Sequence, residues 1–286
     1  MPTIETHAKI NLFLRVLSRE ESGYHGIETL FCRISLADRL TIEAVGRSDG
    51  PAVVLTSEGE DCGPPEANLA ARAAQLVLDA TGNRTSISIH LEKRIPSKSG
   101  LGGGSSDAAA ALEATNQLLG NPVPRHELLQ LASKLGADVP FFLSGASLAL
   151  GWDRGDRLFR LSALPSAPGL LLIPPIGVST AEAYKWVDGA RSEAGRRGAL
   201  ALELEGVQSW GSIARMAGND FESAVFGRLP AIREAFEKLV ATQPLLCRMS
   251  GSGSALFAIY RSAGDREDAK MRLGKKLGRV MAFETA

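Results

Sequence analysis

Gly100-Leu101-Gly102-Gly103-Gly104-Ser105-Ser106-Asp107 is the stretch on which the reading of this chain turns. Upstream, Ile87, Ile89 and Leu91 alternate with polar residues in the period-2 pattern of a strand, and Pro96 ends it. Downstream, Asp107 to Leu119 is alanine-rich and reads as a helix stopped by Gly120 and Pro122. A strand therefore feeds a glycine loop, and the loop opens into a helix. Glycine lets backbone N–H groups approach an anion without interference from Cβ. The helix start adds N–H donors without intrahelical acceptors and a partial positive charge. Ser105 and Ser106 are read as caps of that helix that also donate to phosphate oxygens. Phosphate binding is the favoured reading over an ordinary flexible loop. No Lys-Ser/Thr follows the last glycine, so this is not a Walker loop. The spacing also misses the Gly-x-Gly-x-x-Gly of dinucleotide folds.

Working outward, Ala8, Ile10, Leu12, Leu14 and Val16 alternate as a strand with one face in the core. Lys9 and Asn11 are expected side by side on the opposite face, where a solvated surface is the plain explanation of a lone lysine. Gly23 is the pivot of a turn between Ser22 and His25. Ile27 to Ile34, Asp38 to Val45 and Val53 to Thr56 read as strands. Asn68 to Thr81 reads as a helix closed by Gly82, and His126 to Leu135 as another. Asp138, just before Val139-Pro140, suits a helix N-cap. A boundary near Leu158 to Pro165 divides the chain into units 1–160 and 161–286. In the second unit the pattern gives a strand in Leu170 to Ile173, and helices at Ala181 to Val187, Pro230 to Thr242 and Asp265 to Leu277. A glycine-serine turn at Ser250-Gly251-Ser252-Gly253-Ser254 precedes a strand at Ala255 to Tyr260. Gly189 to Gly198 reads as an exposed loop or lid. This loose alternation indicates an α+β fold.

The 286 residues carry 32 basic and 32 acidic side chains, so no net field draws the chain to nucleic acid or an anionic membrane. No apolar run reaches the ~20 residues of a membrane span. Met1-Pro2-Thr3-Ile4-Glu5 lacks the basic start and apolar core of a signal peptide. Cys32, Cys62 and Cys247 are scattered and odd in number, which suits reduced thiols. A cytoplasmic protein is the expectation, as monomer or homodimer. The four histidines show no metal-ligand spacing, so no protein metal site is expected.

Five motifs occur in order: Ala8-Lys9-Ile10-Asn11-Leu12, Gly23-Tyr24-His25, the glycine-serine loop, Gly136-Ala137-Asp138-Val139-Pro140-Phe141-Phe142, and Ser250 to Ser254. Together they resemble the galactokinase–homoserine–mevalonate–phosphomevalonate (GHMP) kinase superfamily. Within it they are most similar to the family that phosphorylates 4-diphosphocytidyl-2-C-methyl-D-erythritol. The loop is shared across the superfamily; the other N-terminal motifs point to this branch. The resemblance implies an N-terminal domain like part of ribosomal protein S5 and a ferredoxin-like C-terminal domain. It implies ATP as co-substrate, with Mg²⁺ expected alongside and no dedicated protein site for it. By motif, Pro96, Gly100, Leu101, Gly102, Gly103, Gly104, Ser105 and Ser106 hold ATP, and Asn68 touches the adenine pocket. Asp138 is the implied base toward the substrate hydroxyl, with Lys9 holding both. Asn11, Tyr24, His25, Thr180 and Tyr184 are the implied substrate-binding residues, Tyr24 and His25 meeting the cytidine and Tyr184 closing its other side.

Phosphoryl transfer needs positioning and charge neutralisation more than covalent help, which these residue types supply. Two segments depart from the family pattern. Ser97-Lys98-Ser99 stands where small residues are usual, and Gly151-Trp152-Asp153-Arg154-Gly155-Asp156 where a shorter Gly-x-Gly-Glu turn is usual. A homoserine or mevalonate-type kinase of the superfamily is the alternative, and Gly23-Tyr24-His25 weighs against it. A catalytically dead binding protein is disfavoured by the presence of both Lys9 and Asp138. An RNA-binding S5-like module is disfavoured by the zero net charge.

Overall fold

The absence of glycine and proline from Ile27 to Val45 lets that whole segment stay extended. In the computed structural model, which describes residues 3–19, 23–46, 51–190, 204–274 and 276–286, it lies in one strand, β2 (His25–Ala44), and not the two strands expected. β1 (Thr3–Arg19) runs antiparallel along one edge of β2. On the other edge, β4 (Ile87–Lys93) pairs with Arg39 to Ala44, and β5 (Leu148–Trp152) with Thr29 to Cys32. β3 (Val53–Gly59) lies parallel to β4, and β6 (Arg157–Leu161) antiparallel to β5. A second sheet follows in the order β10 (Arg279–Glu284), β7 (Pro168–Ile173), β9 (Leu256–Ile259), β8 (Leu246–Met249). The change of sheet falls between Leu161 and Pro168.

Helices α1 (Leu69–Thr81), α2 (Gly103–Leu118), α3 (Arg125–Leu135) and α4 (Val139–Ser144) accompany the first sheet. Val77, Leu112, Ala132 and Val139 share one apolar cluster with Leu40, Ile42 and Ile89. Around the second sheet lie α5 (Thr180–Ala190), α6 (Trp210–Met216), α7 (Phe221–Arg228), α8 (Pro230–Val240) and α9 (Ala263–Leu273). α9 ends at Gly274, short of the expected Leu277. Another cluster joins Ile10, Leu12 and Leu101 to Leu171, Phe257 and Ile259, so apolar packing runs from one sheet to the other. Burying such side chains contributes ~1.5–3 kcal/mol each. The sheets are therefore fixed against each other along the line where β1 meets the glycine loop.

Two local results matter for the site. Pairing of β1 with β2 shifts register between His7 and Lys9 and again between Asn11 and Phe13. Such shifts mark irregular points in the β1–β2 ladder. Lys9 and Asn11 still stand side by side opposite Ile10 and Leu12, but they are buried, against the expectation of a solvated face, because the glycine loop and the Ser250–Ser254 turn pack against them; Phe13 is buried as well. The second result is that α2 starts at Gly103, four residues before the expected start. Its N-cap is Gly102 in the left-handed region, φ 72°, with no side-chain cap. Ser105 and Ser106 sit inside the first turns and do not cap. The expected lid at Gly189 to Gly198 lies, from residue 191 on, outside the described residues.

Candidate active site

The glycine loop is shaped by its neighbours as much as by its own freedom. A Cβ on Gly100, at φ 80°, would lie 2.2 Å from the Ser250 carbonyl oxygen. A Cβ on Gly102 would lie 2.9 Å from the Phe142 ring and 3.1 Å from Lys9 Cγ. The loop thus threads between the Ser250–Ser254 turn and the Lys9 side chain with room for glycine only. Ser250 Oγ donates to Gly100 O at 3.0 Å, and Ala255 N to Ser99 O at 3.0 Å. Asn219 Nδ2 in turn holds Met249 O and Gly251 O, each at 2.8 Å.

A groove of about 290 Å³ lies over this loop and the start of α2. Asn68, Pro96 and Gly100 to Ser105 line it, as do Ser97 and Lys98 of the atypical segment. Asn68 caps α1, its Oδ1 accepting from Ala70 N at 2.9 Å. Ser106 is not among the lining residues. Its N–H is spent on Gly102 O at 2.9 Å, and its side chain is buried on the far side of the helix.

Lys9 joins the groove to the rest of the site. Its backbone N–H donates to Leu101 O at 2.9 Å. Its ammonium donates to Asn11 Oδ1 at 2.7 Å and lies 3.3 Å from Asp138 Oδ2. Asn11 is held by donating to Thr29 Oγ1 at 2.7 Å, and Thr29 donates to Phe13 O at 2.8 Å. The ammonium has three donors, so one remains for a further acceptor. The Lys9 side chain is 4% exposed and that of Asp138 is 30% exposed. Asp138 occupies the N-cap position of α4, yet its side chain makes no capping bond. The helix-cap explanation of this residue is therefore set aside: the carboxylate faces Lys9 and open space.

Beside it, the His25 and Tyr184 rings stack with centroids 4.8 Å apart and planes 15° from parallel. A base cannot enter between rings at that spacing, so His25 and Tyr184 do not flank one as a pair. Tyr24 is 60% exposed, with the Arg154 guanidinium 4.2 Å from its ring centre. It is the ring that offers an open face. Burial raises the Tyr184 hydroxyl to about 12, and the Asp138 charge pushes the same way. Thr180 Oγ1 lies 3.0 Å from Ser252 Oγ.

Sequence reasoning missed two sets of residues here. Asp188 binds His25 Nε2 at 2.7 Å, and no motif marks it. Lys93, Asp38 and Asp107 meet beneath the groove; Lys93 and Asp107 flank the glycine loop in sequence, but nothing local ties them to Asp38.

Comparison with known proteins settles the family. The description "GHMP kinases N terminal domain" matches residues 68–146, and "GHMP kinases C terminal" matches residues 199–279. A 4-diphosphocytidyl-2-C-methyl-D-erythritol kinase of Solibacter usitatus (strain Ellin6076) is 42% identical over 89% of this chain and 79% of its own. The chain belongs to the 4-diphosphocytidyl-2-C-methyl-D-erythritol kinase family. As a GHMP kinase it is an ATP-dependent phosphotransferase. A crystal structure of a 4-(cytidine 5'-diphospho)-2C-methyl-D-erythritol kinase superimposes with a TM-score of 0.83 at 37% identity, covering 100% of this kinase and 99% of that chain. The homoserine kinase of Cytophaga hutchinsonii, 19% identical with a TM-score of 0.66 over 100% of this kinase and 95% of its own chain, shares the fold. Among the described residues no helix is long and apolar enough to cross a membrane.

Proposed function

We infer that this kinase transfers the γ-phosphate of ATP to the 2-hydroxyl of 4-diphosphocytidyl-2-C-methyl-D-erythritol, a step of non-mevalonate isoprenoid precursor biosynthesis. The observation that carries the residue assignment is the double attachment of Lys9. Its backbone is fixed to the glycine loop, and its ammonium faces Asp138. The groove over Gly100 to Ser105 takes the ATP phosphates on backbone N–H groups and on the start of α2. Asn68 and Pro96 lie at the nucleoside end. Asp138 orients the hydroxyl and takes its proton as the phosphorus–oxygen bond forms. The remaining Lys9 donor holds the hydroxyl in line. Asn11 sets the Lys9 position. Cytidine is read by Tyr24, with His25 and Tyr184 as a joined platform and Thr180 beside the diphosphate.

Mg²⁺ accompanies ATP and supplies charge neutralisation on its phosphates. Among the described residues no group of three or more His, Cys, Asp and Glu could hold a metal. Asp38 and Asp107, close to the loop, are engaged by Lys93. Residues 1–160 form the ATP-binding domain in this reading and residues 161–286 the second domain, which the change of sheet after Leu161 supports. A cytoplasmic location suits the three scattered cysteines, read as reduced thiols.

The test is ATP turnover against alcohols with and without a cytidine diphosphate group, homoserine and mevalonate included. Turnover confined to the cytidylylated methylerythritol is expected. Equal rates with free methylerythritol would remove the cytidine pocket from the account.

A further inference from the structure

Three buried ionisable side chains meet at the start of α2, and two of them, Lys93 and Asp107, line the groove. Lys93, the last residue of β4, donates to Asp107 Oδ2 at 2.7 Å and also to Asp38 Oδ2. A Cβ on Gly103 would lie 3.3 Å from the ammonium, which places the charge directly under the helix start. Asp38, on β2, also accepts the N–H groups of Arg94 at 2.5 Å and Ile95 at 2.8 Å. Asp107, on α2, accepts from Thr6 Oγ of β1 at 2.6 Å. Four elements thus meet at one point, and all four polar side chains are buried.

We propose that Lys93, Asp38 and Asp107 are a positioning network that fixes the start of α2 toward the nucleotide phosphates, and that Asp107 takes up a proton from solvent when ATP binds. The proposal rests on reading the groove as the ATP site. Two carboxylates and one ammonium leave one excess negative charge under an anion site. Unlike charges at hydrogen-bond distance favour ionisation, while a second carboxylate opposes it. Asp38 is the better supported of the two, with three donors against two for Asp107, so the proton goes to Asp107. The Thr6 hydroxyl can rotate to accept where it now donates. Burial already pushes the Asp107 carboxyl up to about 6, the Lys93 charge acting against it and Asp38 with it. Burial pulls the Lys93 ammonium down, but Asp107 and Asp38 outweigh this and its net shift is upward. The ionisable groups facing Asp107 among the described residues are therefore Lys93 from β4 and Asp38 from β2; β1 contributes only the Thr6 hydroxyl.

The sign follows. ATP adds negative charge at the loop, which favours the protonated carboxyl, so affinity falls as pH rises and Asp107 ionises. The experiment is calorimetric titration of folded wild type and Asp107→Asn with Mg²⁺-ATP, in two buffers of different ionisation enthalpy, from pH 6 to pH 8. Titration of ATP itself is common to both proteins, so the difference between them is the readout. Wild type is expected to take up more protons than Asp107→Asn and to lose about tenfold more affinity across that range, the equivalent of one pH unit of linkage. Lys93→Met is expected to weaken ATP binding at least tenfold at every pH while leaving binding of cytidine diphosphate unchanged. If Lys93→Met does not fold, Asp107→Asn decides alone. Equal proton uptake and equal pH slopes in wild type and Asp107→Asn overturn the proposal and leave the groove assignment standing. Failure of wild type to bind ATP overturns both.

Discussion

Lys9 meets Asp138 at 3.3 Å, and Lys93 meets Asp107 at 2.7 Å, one on each side of the same glycine loop. The side-chain types are identical and both lysines are buried. The carboxylates differ: Asp138 keeps 30% of its side chain exposed, and Asp107 keeps 2%. A carboxylate with an open face can orient and deprotonate an incoming hydroxyl, whereas one held by Lys93 and Thr6 has no comparable face for a hydroxyl and acts on the start of α2. The ammonium contact is common to both pairs, so in the proposed mechanism it is the open face that sets Asp138 apart from Asp107. Removing a member should therefore damage the rate in one pair and the fold in the other.

The largest effect is expected from Lys9→Ala, which should lower the phosphoryl-transfer rate by ~10²–10⁴, the range for loss of a positioned acid–base unit. The Lys9→Ala, Asp138→Asn double variant should be scarcely slower than either single variant, since groups acting as a unit are non-additive. Rapid-quench measurement on the three proteins checks this; multiplicative losses would mean that the two residues act separately.

Lys93→Met should cost ~3–5 kcal/mol of stability, because breaking a buried ion pair leaves uncompensated charge. Urea denaturation of variant and wild type measures it. A loss under ~1 kcal/mol would show that the enclosed pair is not structural.

Gly103→Val sharpens the comparison from the loop between the pairs. Its Cβ would press on Ile95 Cγ2 at 2.9 Å and on Lys93 Nζ at 3.3 Å, and its methyl groups would cover the N–H groups of the groove. ATP at a hundred times its Kd should stabilise wild type by ~2.7 kcal/mol and the variant hardly at all. Equal thermal protection of the two would count against the loop assignment.

The smallest effect is expected at the open aromatic ring. Tyr24→Ala should raise KM for the cytidylylated substrate by the equivalent of ~1–3 kcal/mol, with kcat less affected, because stacking is made alike in ground and transition states. Steady-state kinetics with ATP saturating separates the two; an unchanged KM would place the base elsewhere.

What the sequence disclosed was local. The strand, glycine loop and helix around Gly103 were legible because turn chemistry and periodicity act over a few residues. Lys9 and Asp138 could be named by motif, but the burial of Lys9 could not, since the glycine loop that packs against it comes from about ninety residues further along the chain. Ser106 was misplaced by a helix start read four residues late: a glycine run looks like loop until neighbours impose helical geometry on it. β5, β6, β8 and β10 were not read at all; they are short, and β6 is largely exposed, so packing rather than pattern makes them strands. Asp38 lies 55 residues from its partner Lys93, a separation across which no local signal carries.

The most direct test of the account is single-turnover phosphoryl transfer by Asp138→Asn, with ATP affinity and folding measured on the same preparation. Asparagine keeps the size of the carboxylate and removes its charge and basicity. The rate should fall by ~10²–10⁴ while ATP affinity stays within a factor of about two. A rate near that of wild type would contradict the assignment of Asp138 as the base and would reduce the Lys9–Asp138 contact to one more structural pair.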